Sequence, residues 1–329
     1  MTNNALECRD VSPKEVCNFL SEHDRFLLLA HAQPDGDTVG SCFALAYALK
    51  KLGKKVKINC SDKIPAKYSY FTAAFKNGNF KEETVIALDV ADQKLFGLLN
   101  EKYGNCVDLC IDHHISNKRY AKRLFLNAAA SANCENVYEI IKELGVPFTR
   151  HITAALYTGI VTDTGCFKYT NVTAKTHRIA AELIDLGVDH GEINRIMFDT
   201  KSKARIKIEG AVMEKMHFFF GGRVAFVAIT KDMLSSSGCC EDDLDGVNTL
   251  ARTVEGVMIG VTARQKDGGI FKVSLRTNEP IDASVICGNF GGGGHPRAAG
   301  CEINGDETEV ENALLPVLKA VLEESGCLI

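Results

Sequence analysis

Phe26-Leu27-Leu28-Leu29-Ala30-His31-Ala32-Gln33-Pro34-Asp35-Gly36-Asp37, followed by the alanine-rich residues 38–51, decides how the chain is read. A continuous apolar run that ends in polar residues describes a strand covered on both faces. The stretch behind it is amphipathic with helical spacing, and Gly53 is placed to stop it. The same texture recurs. Residues 56–60, 84–88 and 106–111 read as strands, and residues 135–144, 152–161 and 174–186 as helices, the last with Thr173 as N-cap. Strands alternating with helices predict an α/β fold, a doubly wound parallel sheet. In such sheets ligands bind beyond the carboxyl ends of the strands.

The pattern changes near residue 190. Residues 192–198 and 204–216 look helical, joined by Lys201-Ser202-Lys203. A strand at 223–229, a helix at 241–251 and strands at 257–263 and 270–276 follow. Then come Gly291-Gly292-Gly293-Gly294-His295 and a last helix at 309–323, with Thr308 as its cap and Pro316 as a kink. This predicts a smaller α+β domain with a mixed sheet. The expected division is 1–190, a helical connector at 191–218, and 219–329.

A formal net charge of -4 argues against an extended grip on duplex nucleic acid, which relies on neutralising phosphates. No apolar run is long enough for a membrane helix, and residues 1–7 lack the basic-then-apolar order of a secretory signal. The cysteine count of 13 is odd and contains no Cys-x-x-Cys, so neither a disulfide framework nor a zinc site is expected. Cys60, Cys106, Cys110 and Cys301 read as small buried hydrophobes, and Cys239-Cys240 as incidental. The compartment expected is a reduced cytoplasm.

Acids and histidines gather where apolar runs give out: His31, Asp35 and Asp37; Asp89; Asp112-His113-His114; and Asp163 within Thr162-Asp163-Thr164-Gly165. The first group serves equally as a turn with helix-capping aspartates. Asp89 alone is an ordinary end to a strand, whereas an acid and two histidines ending a strand have little packing rationale. If the ends converge, Asp35, Asp37, Asp89 and Asp163 bring four negative charges together. Their repulsion would raise carboxyl pKa values unless cations compensate it. Two divalent ions balance that charge. Carboxylate and imidazole ligands without thiolate suit Mn2+, with Mg2+, Co2+ or Zn2+ as other candidates. Paired metals about 3.5–4 Å apart clamp an in-line displacement at phosphorus.

At these residues the chain resembles the DHH phosphoesterase family, named for the Asp-His-His found here at 112–114. Gly291-Gly292-Gly293-Gly294-His295 with Ala298-Ala299-Gly300 resembles the DHH-associated C-terminal domain. The length is most similar to bacterial nano-RNases, which act as oligoribonucleases and pAp phosphatases; RecJ exonucleases share the core but usually carry more domains. The resemblance implies metal ligands at His31, Asp35, Asp37, Asp89, His113 and Asp163. One ion would take His31 and Asp35, the other Asp37, His113 and Asp163, with Asp89 bridging. It implies that His114 faces the substrate phosphate, that Asp112 orients the histidines, and that Arg276 and His295 bind substrate. Gly292, Gly293 and Gly294 would offer backbone N–H groups to an anion, with Arg264 and Arg297 as further candidates. Thr277 stands where the family commonly has Ser.

The expected activity is hydrolysis of short RNA oligonucleotides to nucleoside 5′-monophosphates, of pAp to AMP, or both, with no duplex DNA or membrane partner. A homodimer is left open. Rival readings are a phosphodiesterase for cyclic dinucleotides or linear pApA, a polyphosphatase or pyrophosphatase, a long single-strand exonuclease, and a catalytically silent nucleotide-sensing module. The last should have lost a ligand, and none of the six is missing.

Overall fold

A computed structural model describes residues 8–239, 241–244 and 246–328. Residues 1–7, read above for a secretory signal, and Cys240 of the Cys239-Cys240 pair lie outside the described residues. Close contacts divide the chain into two compact units, Met1–Thr200 and Lys201–Ile329.

The first unit runs β1 (Arg9–Asp10), α1 (Pro13–Glu22), β2 (Phe26–Leu29), α2 (Gly36–Lys51), β3 (Val56–Asn59), α3 (Ser69–Thr72) and β4 (Thr84–Leu88). It continues through α4 (Asn100–Tyr103), β5 (Leu109–Asp112), β6 (Arg123–Leu126), α5 (Asn133–Glu143), α6 (Arg150–Asp163), α7 (Ala174–Asp185) and α8 (His190–Asn194). Its six strands pair in the order β1-β6-β5-β4-β2-β3, all parallel. Alternate residues of β2 face opposite ways. Phe26 and Leu28 join the large core beneath α1, α2, α5 and α6. Leu27 and Leu29 join a thinner one with Phe96, Tyr103 and Val107. The central strands are therefore covered on both faces, which is why β2, β4 and β5 are apolar apart from Thr84 and Asp112. From β2 the chain moves to β3 on one side and then to β4 on the other. The strand order thus reverses between β2 and β4, where α/β sheets open a crevice for ligands.

Helices α2 and α6 approach more closely than ordinary side chains allow. A Cβ at Gly36 would lie 2.2 Å from Thr162 Oγ1, and one at Gly40 would lie 2.4 Å from the Ala155 carbonyl. A Cβ at Gly159 would meet Cys134 Sγ at 2.2 Å and Asp37 Oδ1 at 2.8 Å. Three glycines thus fix how near the start of α2 comes to the end of α6.

The second unit holds α9 (Lys203–Glu214), β7 (His217–Phe219), β8 (Val224–Ile229), α10 (Lys231–Ser237), β9 (Ile259–Gln265), β10 (Ile270–Thr277), α11 (Ala283–Gly288), β11 (Gly293–His295), β12 (Ala298–Asn304) and α12 (Glu307–Glu324). Its sheet order is β11-β12-β10-β9-β8-β7, mixed because β8 and β9 are parallel and the other pairs antiparallel. Residues 191–218 divide between the units. Ile208 and Val212 of α9 are buried with Val227, Ile229 and Met233 in the second.

Several local expectations change. The helix expected at 241–251 is two 3₁₀ segments, Glu241–Leu244 and Val247–Thr253, and the left-handed Gly246 (φ 76°) precedes the second. The last helix is capped by Asp306 rather than Thr308, because Asp306 and Glu309 satisfy each other's backbone N–H groups, and it continues through Pro316. Cys106 is exposed and Cys60 half-buried, while Cys110 and Cys301 are buried. Among the described residues every cysteine is free, and no helix is long and apolar enough to cross a membrane.

Replacing Gly40 with Ala should test the helix contact. The clash is with a backbone oxygen, which cannot rotate away, so the helices must separate. The expected loss is about 1–3 kcal/mol in chemical denaturation, as for other overpacked cores. An unchanged midpoint would show that the contact has slack.

Candidate metal and catalytic site

The sequence brings its acids and imidazoles to one place from five elements. His31 follows β2, Asp35 and Asp37 open α2, Asp89 follows β4, and Asp112 ends β5 with His113 and His114 behind it. Asp163 is the last residue of α6. Strands β2, β4 and β5 are neighbours, so their carboxyl ends deliver three of the segments together. The α2–α6 contact delivers Asp37 and Asp163.

The alternative reading of the first segment holds for Asp35. It caps α2, with Oδ1 accepting from the N–H groups of Asp37 at 3.0 Å and Thr38 at 3.1 Å. The same carboxylate remains 57% exposed, and its Oδ1 lies 3.6 Å from His31 Nε2. Asp37 is buried and reaches sideways. Ala132, at the N-cap of α5, has no side-chain acceptor, and Asp37 substitutes for one. Its Oδ1 accepts from the Cys134 N–H at 2.8 Å, and its Oδ2 accepts from the Asn133 N–H. Asp89 has a left-handed backbone (φ 61°), tolerated by aspartate but costing about 1–3 kcal/mol. That turn aims the carboxylate so that Oδ2 lies 4.0 Å from His31 Nε2 and Oδ1 3.4 Å from His113 Nε2.

His113 Nε2 also lies 3.8 Å from Asp37 Oδ2 and 3.6 Å from Asp163 Oδ2. None of these is a hydrogen bond. Asp89 Oδ1 and His113 Nε2 are both buried without any hydrogen-bond partner. Orphaned polar atoms of this kind are rare and call for an explanation. The far sides of the rings supply one. His31 Nδ1 meets the Ala32 carbonyl at 2.7 Å, and His113 Nδ1 meets the Ala130 carbonyl at 3.1 Å. A carbonyl only accepts, so Nδ1 carries a proton in both rings. In the neutral imidazole Nε2 then presents its lone pair to the carboxylates, the tautomer and orientation of a metal ligand. Three overlapping donor sets could each hold a cation: His31, Asp35 and Asp89; Asp37, His113 and Asp163; and Asp89, His113 and His114, the first two sharing no residue. Asp89 faces the first two, so divalent cations fit the arrangement.

His114 differs. Its Nδ1 lies 2.8 Å from Asp112 Oδ1, and its side chain is 44% exposed. Asp112 is fully buried. Its Oδ1 also accepts from the N–H groups of His113 and His114, and its Oδ2 accepts from Asn117 Nδ2 at 2.6 Å. The Asp112 hydrogen bond, followed by smaller effects, raises the His114 pKa. Asn117 escaped the sequence reading; a polar residue three positions beyond His114 was its only signal. Histidines outside the cluster pack or pair elsewhere: His151 stacks on Tyr47, His177 on Phe167, and His217 meets Glu311.

Without cations the cluster is electrostatically strained. Burial, then Asp89 and Asp163, push the Asp37 carboxyl well above its usual range. Burial chiefly raises Asp163 to about 7, with His113 opposing. Burial disfavours the imidazolium of His31 and His113, yet the surrounding carboxylates prevail and raise them to about 9 and about 10.

In the second unit, residues directly opposite one another along the sheet share a face. One row reads His295 (β11), Ala298 (β12), Arg276 (β10), Gly260 (β9). Arg276 and His295 are thus two strands apart, about 10 Å. Arg264 pairs with Lys272, four residues further along β9 or roughly 13 Å away, so it does not join them. Arg297 donates to the Ile281 carbonyl. The glycines serve packing more than expected. A Cβ at Gly292 would lie 2.2 Å from the Gly300 carbonyl, and one at Gly294 would lie 2.6 Å from the Ala298 carbonyl. The Gly292 N–H is not available to an anion, because it donates to the Cys287 carbonyl at 3.0 Å. The Thr277 hydroxyl sits 2.9 Å from the carbonyls of both Ile281 and Pro296, tying the turn between β11 and β12 to β10.

Residues 25–160 match the DHH family N-terminal domain, and residues 221–324 match the DHHA1 domain. A bifunctional oligoribonuclease and PAP phosphatase NrnA of Thermus thermophilus is 33% identical, with 90% of this chain and 89% of that protein covered. The Bacillus subtilis protein of the same name is 27% identical, with 88% and 92% covered. Among solved structures, an exopolyphosphatase-related protein from Bacteroides fragilis superposes with a TM-score of 0.83 at 21% identity, covering 95% of each chain. RecJ of Thermus thermophilus in complex with Mn2+ gives 0.52 at 16% identity, covering 95% of this chain and 54% of that one. The two structures share the fold.

The pKa shifts fix a sign for stability. Protonation of Asp163, His31 and His113 stabilises the cation-free fold fully below their unfolded-state values, about 4 for the carboxyl and about 6.5 for the imidazoles. That contribution is lost as pH rises through about 7, 9 and 10 respectively. The unfolding midpoint in EDTA should therefore fall between about pH 6 and about pH 9. Mn2+ should raise it most at the alkaline end, where the ligands are deprotonated. A midpoint in EDTA that rises over this interval contradicts the assignment.

Proposed function

This chain belongs to the DHH family and carries a DHHA1 domain, and from that premise we propose that it is a metal-dependent phosphoesterase of short oligoribonucleotides and pAp. The products would be nucleoside 5′-monophosphates, or AMP and phosphate. The observation that carries the reading is the buried, unpartnered pair Asp89 Oδ1 and His113 Nε2 at the meeting point of four carboxylates and two imidazoles. The oligoribonuclease and PAP phosphatase names of relatives spanning nearly the whole chain supply the substrate class. A net charge of -4 favours a short substrate over an extended duplex. Free cysteines suit a reduced, cytoplasmic setting.

His31 and Asp35 would hold one divalent cation, Mn2+ by the donor set, and Asp37, His113 and Asp163 a second, with Asp89 reaching both. When bound, such a pair supplies Lewis acidity and positive charge for in-line attack of water at phosphorus. The residues of the chain do the rest. The carbonyls of Ala32 and Ala130 hold His31 and His113 in the liganding tautomer. Hydrolysis frees an alcohol oxygen that must take up a proton. With Nδ1–H donating to Asp112, which favours the charged ring, the His114 imidazolium would present Nε2–H to the phosphoryl group or give that proton to the leaving oxygen. In the second unit Arg276 and His295 would be substrate-binding residues.

A manganese-supplemented digest of 5′-labelled RNA from two to about twenty-four nucleotides, with pAp and cyclic di-AMP alongside, tests the reading. The shortest oligomers and pAp should be consumed fastest. Preference for the longest strands, or turnover of the cyclic dinucleotide alone, selects a rival. Asp89→Ala should abolish turnover, and near-wild-type rates in excess Mn2+ would reject the ligand assignment. His114→Ala should lower kcat about 10²–10⁴-fold, the range for a general acid, while bound metal measured by elemental analysis stays at the wild-type level.

A further inference from the structure

The row His295, Ala298, Arg276, Gly260 has a feature that neither the motifs nor the family resemblance accounts for. Gly260 lies directly opposite Arg276. A Cβ there would lie 2.6 Å from the backbone nitrogen of Arg252 and 3.0 Å from the Ala251 carbonyl carbon. The 3₁₀ segment Val247–Thr253 is thus pressed onto the sheet at the residue beside Arg276, with Ala251 buried and Arg252 exposed. The Arg252 side chain is steered the same way. Its Nη1 donates to Asn278 Oδ1 at 3.2 Å, and Asn278 is in turn pinned by its Nδ2 on the Val257 carbonyl at 2.9 Å. Asn278 is only two residues past Arg276.

Two guanidinium groups therefore share one end of β10. Among the described residues, neither has a carboxylate within ion-pair distance; the acceptors recorded are neutral, Asn278 for Arg252 and the Leu275 carbonyl for Arg276. Burial and then the Arg252 charge both lower the Arg276 pKa, which reports that the two cations repel. Like charges held together without a counter-ion favour an anion between them. The residues beside them are small. Ala298 and Gly260 flank Arg276 in its own row, and Gly293, Gly300 and Ser274 form the next.

We propose that Arg252 is a second substrate arginine, which with Arg276 grips the 5′-phosphate of a nucleotide. This rests on reading the chain as a hydrolase of short nucleotides, and it adds a residue and a ligand group to that reading. Each guanidinium has five N–H donors and uses one on the acceptors above, so a forked grip on phosphate oxygens is available to both. A nucleoside 5′-phosphate carries such a group away from its 3′ side.

The test is calorimetric titration of the full-length protein in excess EDTA, so that no bound metal can hold phosphate, with adenosine 5′-monophosphate and adenosine as probes. Arg252→Gln should weaken the 5′-monophosphate on the order of ten- to a hundredfold, the loss typical of a charge-assisted bond, and leave adenosine unchanged. Arg252→Lys should recover part of the loss, since it restores a charge but not the planar fork. Arg252 is exposed, so all three proteins should melt together, which separates binding from folding. Equal affinity of wild type and Arg252→Gln for the 5′-monophosphate, or an equal loss for both probes, overturns the proposal. Turnover is scored separately: a wild type that hydrolyses nothing with Mn2+ sinks the hydrolase reading, while the titration still decides the role of Arg252.

Discussion

Mutual repulsion among four carboxylates is the constraint that organises the first unit. Asp35, Asp37, Asp89 and Asp163 surround two imidazoles at the point where the strand order reverses. No element holds all of them, so the fold has to force them together from β2, β4, β5, α2 and α6. Much of that force comes from places without charge. Gly36, Gly40 and Gly159 let α2 and α6 touch along their backbones, and the apolar strands bury both faces of the sheet. The hydrophobic core thus sustains a charge arrangement that divalent cations would relieve.

The strands and long helices of the first unit were legible because its central strands are short apolar runs, α5 and α7 are amphipathic, and α2 and α6 are long runs of small and apolar residues. Residues 84–88 match β4, and Thr173 caps α7 as expected. The edge elements were not legible in the same way. β1 has two residues and β6 four, too short to show any period. α1 did carry a signal, since Ser12-Pro13 followed by Glu15 forms a capping box, but it sits outside the repeating pattern. In the second unit a helical period at 241–251 resolved into 3₁₀ segments, because Gly246 takes a left-handed conformation that a continuous helix cannot contain.

Site residues were legible as chemistry and not as geometry. Acids and histidines at strand ends stood out because nothing in packing requires them. What orients them came from groups that a sequence cannot display: the carbonyls of Ala32 and Ala130 behind the imidazoles, and the backbone N–H groups of Asn133 and Cys134 behind Asp37. In the glycine run at 291–294 the Gly292 N–H is spent on the Cys287 carbonyl. The run's composition suggests an anion nest, whereas Gly292 and Gly294 are required by the approach of β11 to β12.

Asp37 carries two duties that cannot be separated. It faces the cluster, and it closes the exposed start of a neighbouring helix whose own cap residue is an alanine. His114 carries only one, since its ring is partly exposed and Asp112, not the core, holds it. A descendant released from selection for hydrolysis could therefore shed His114 early and still keep Asp37 to hold its shape. Among kin of this chain, a retained aspartate at this position speaks for an intact scaffold, whereas under the proposed role of His114 its loss would be the earlier sign of lost activity.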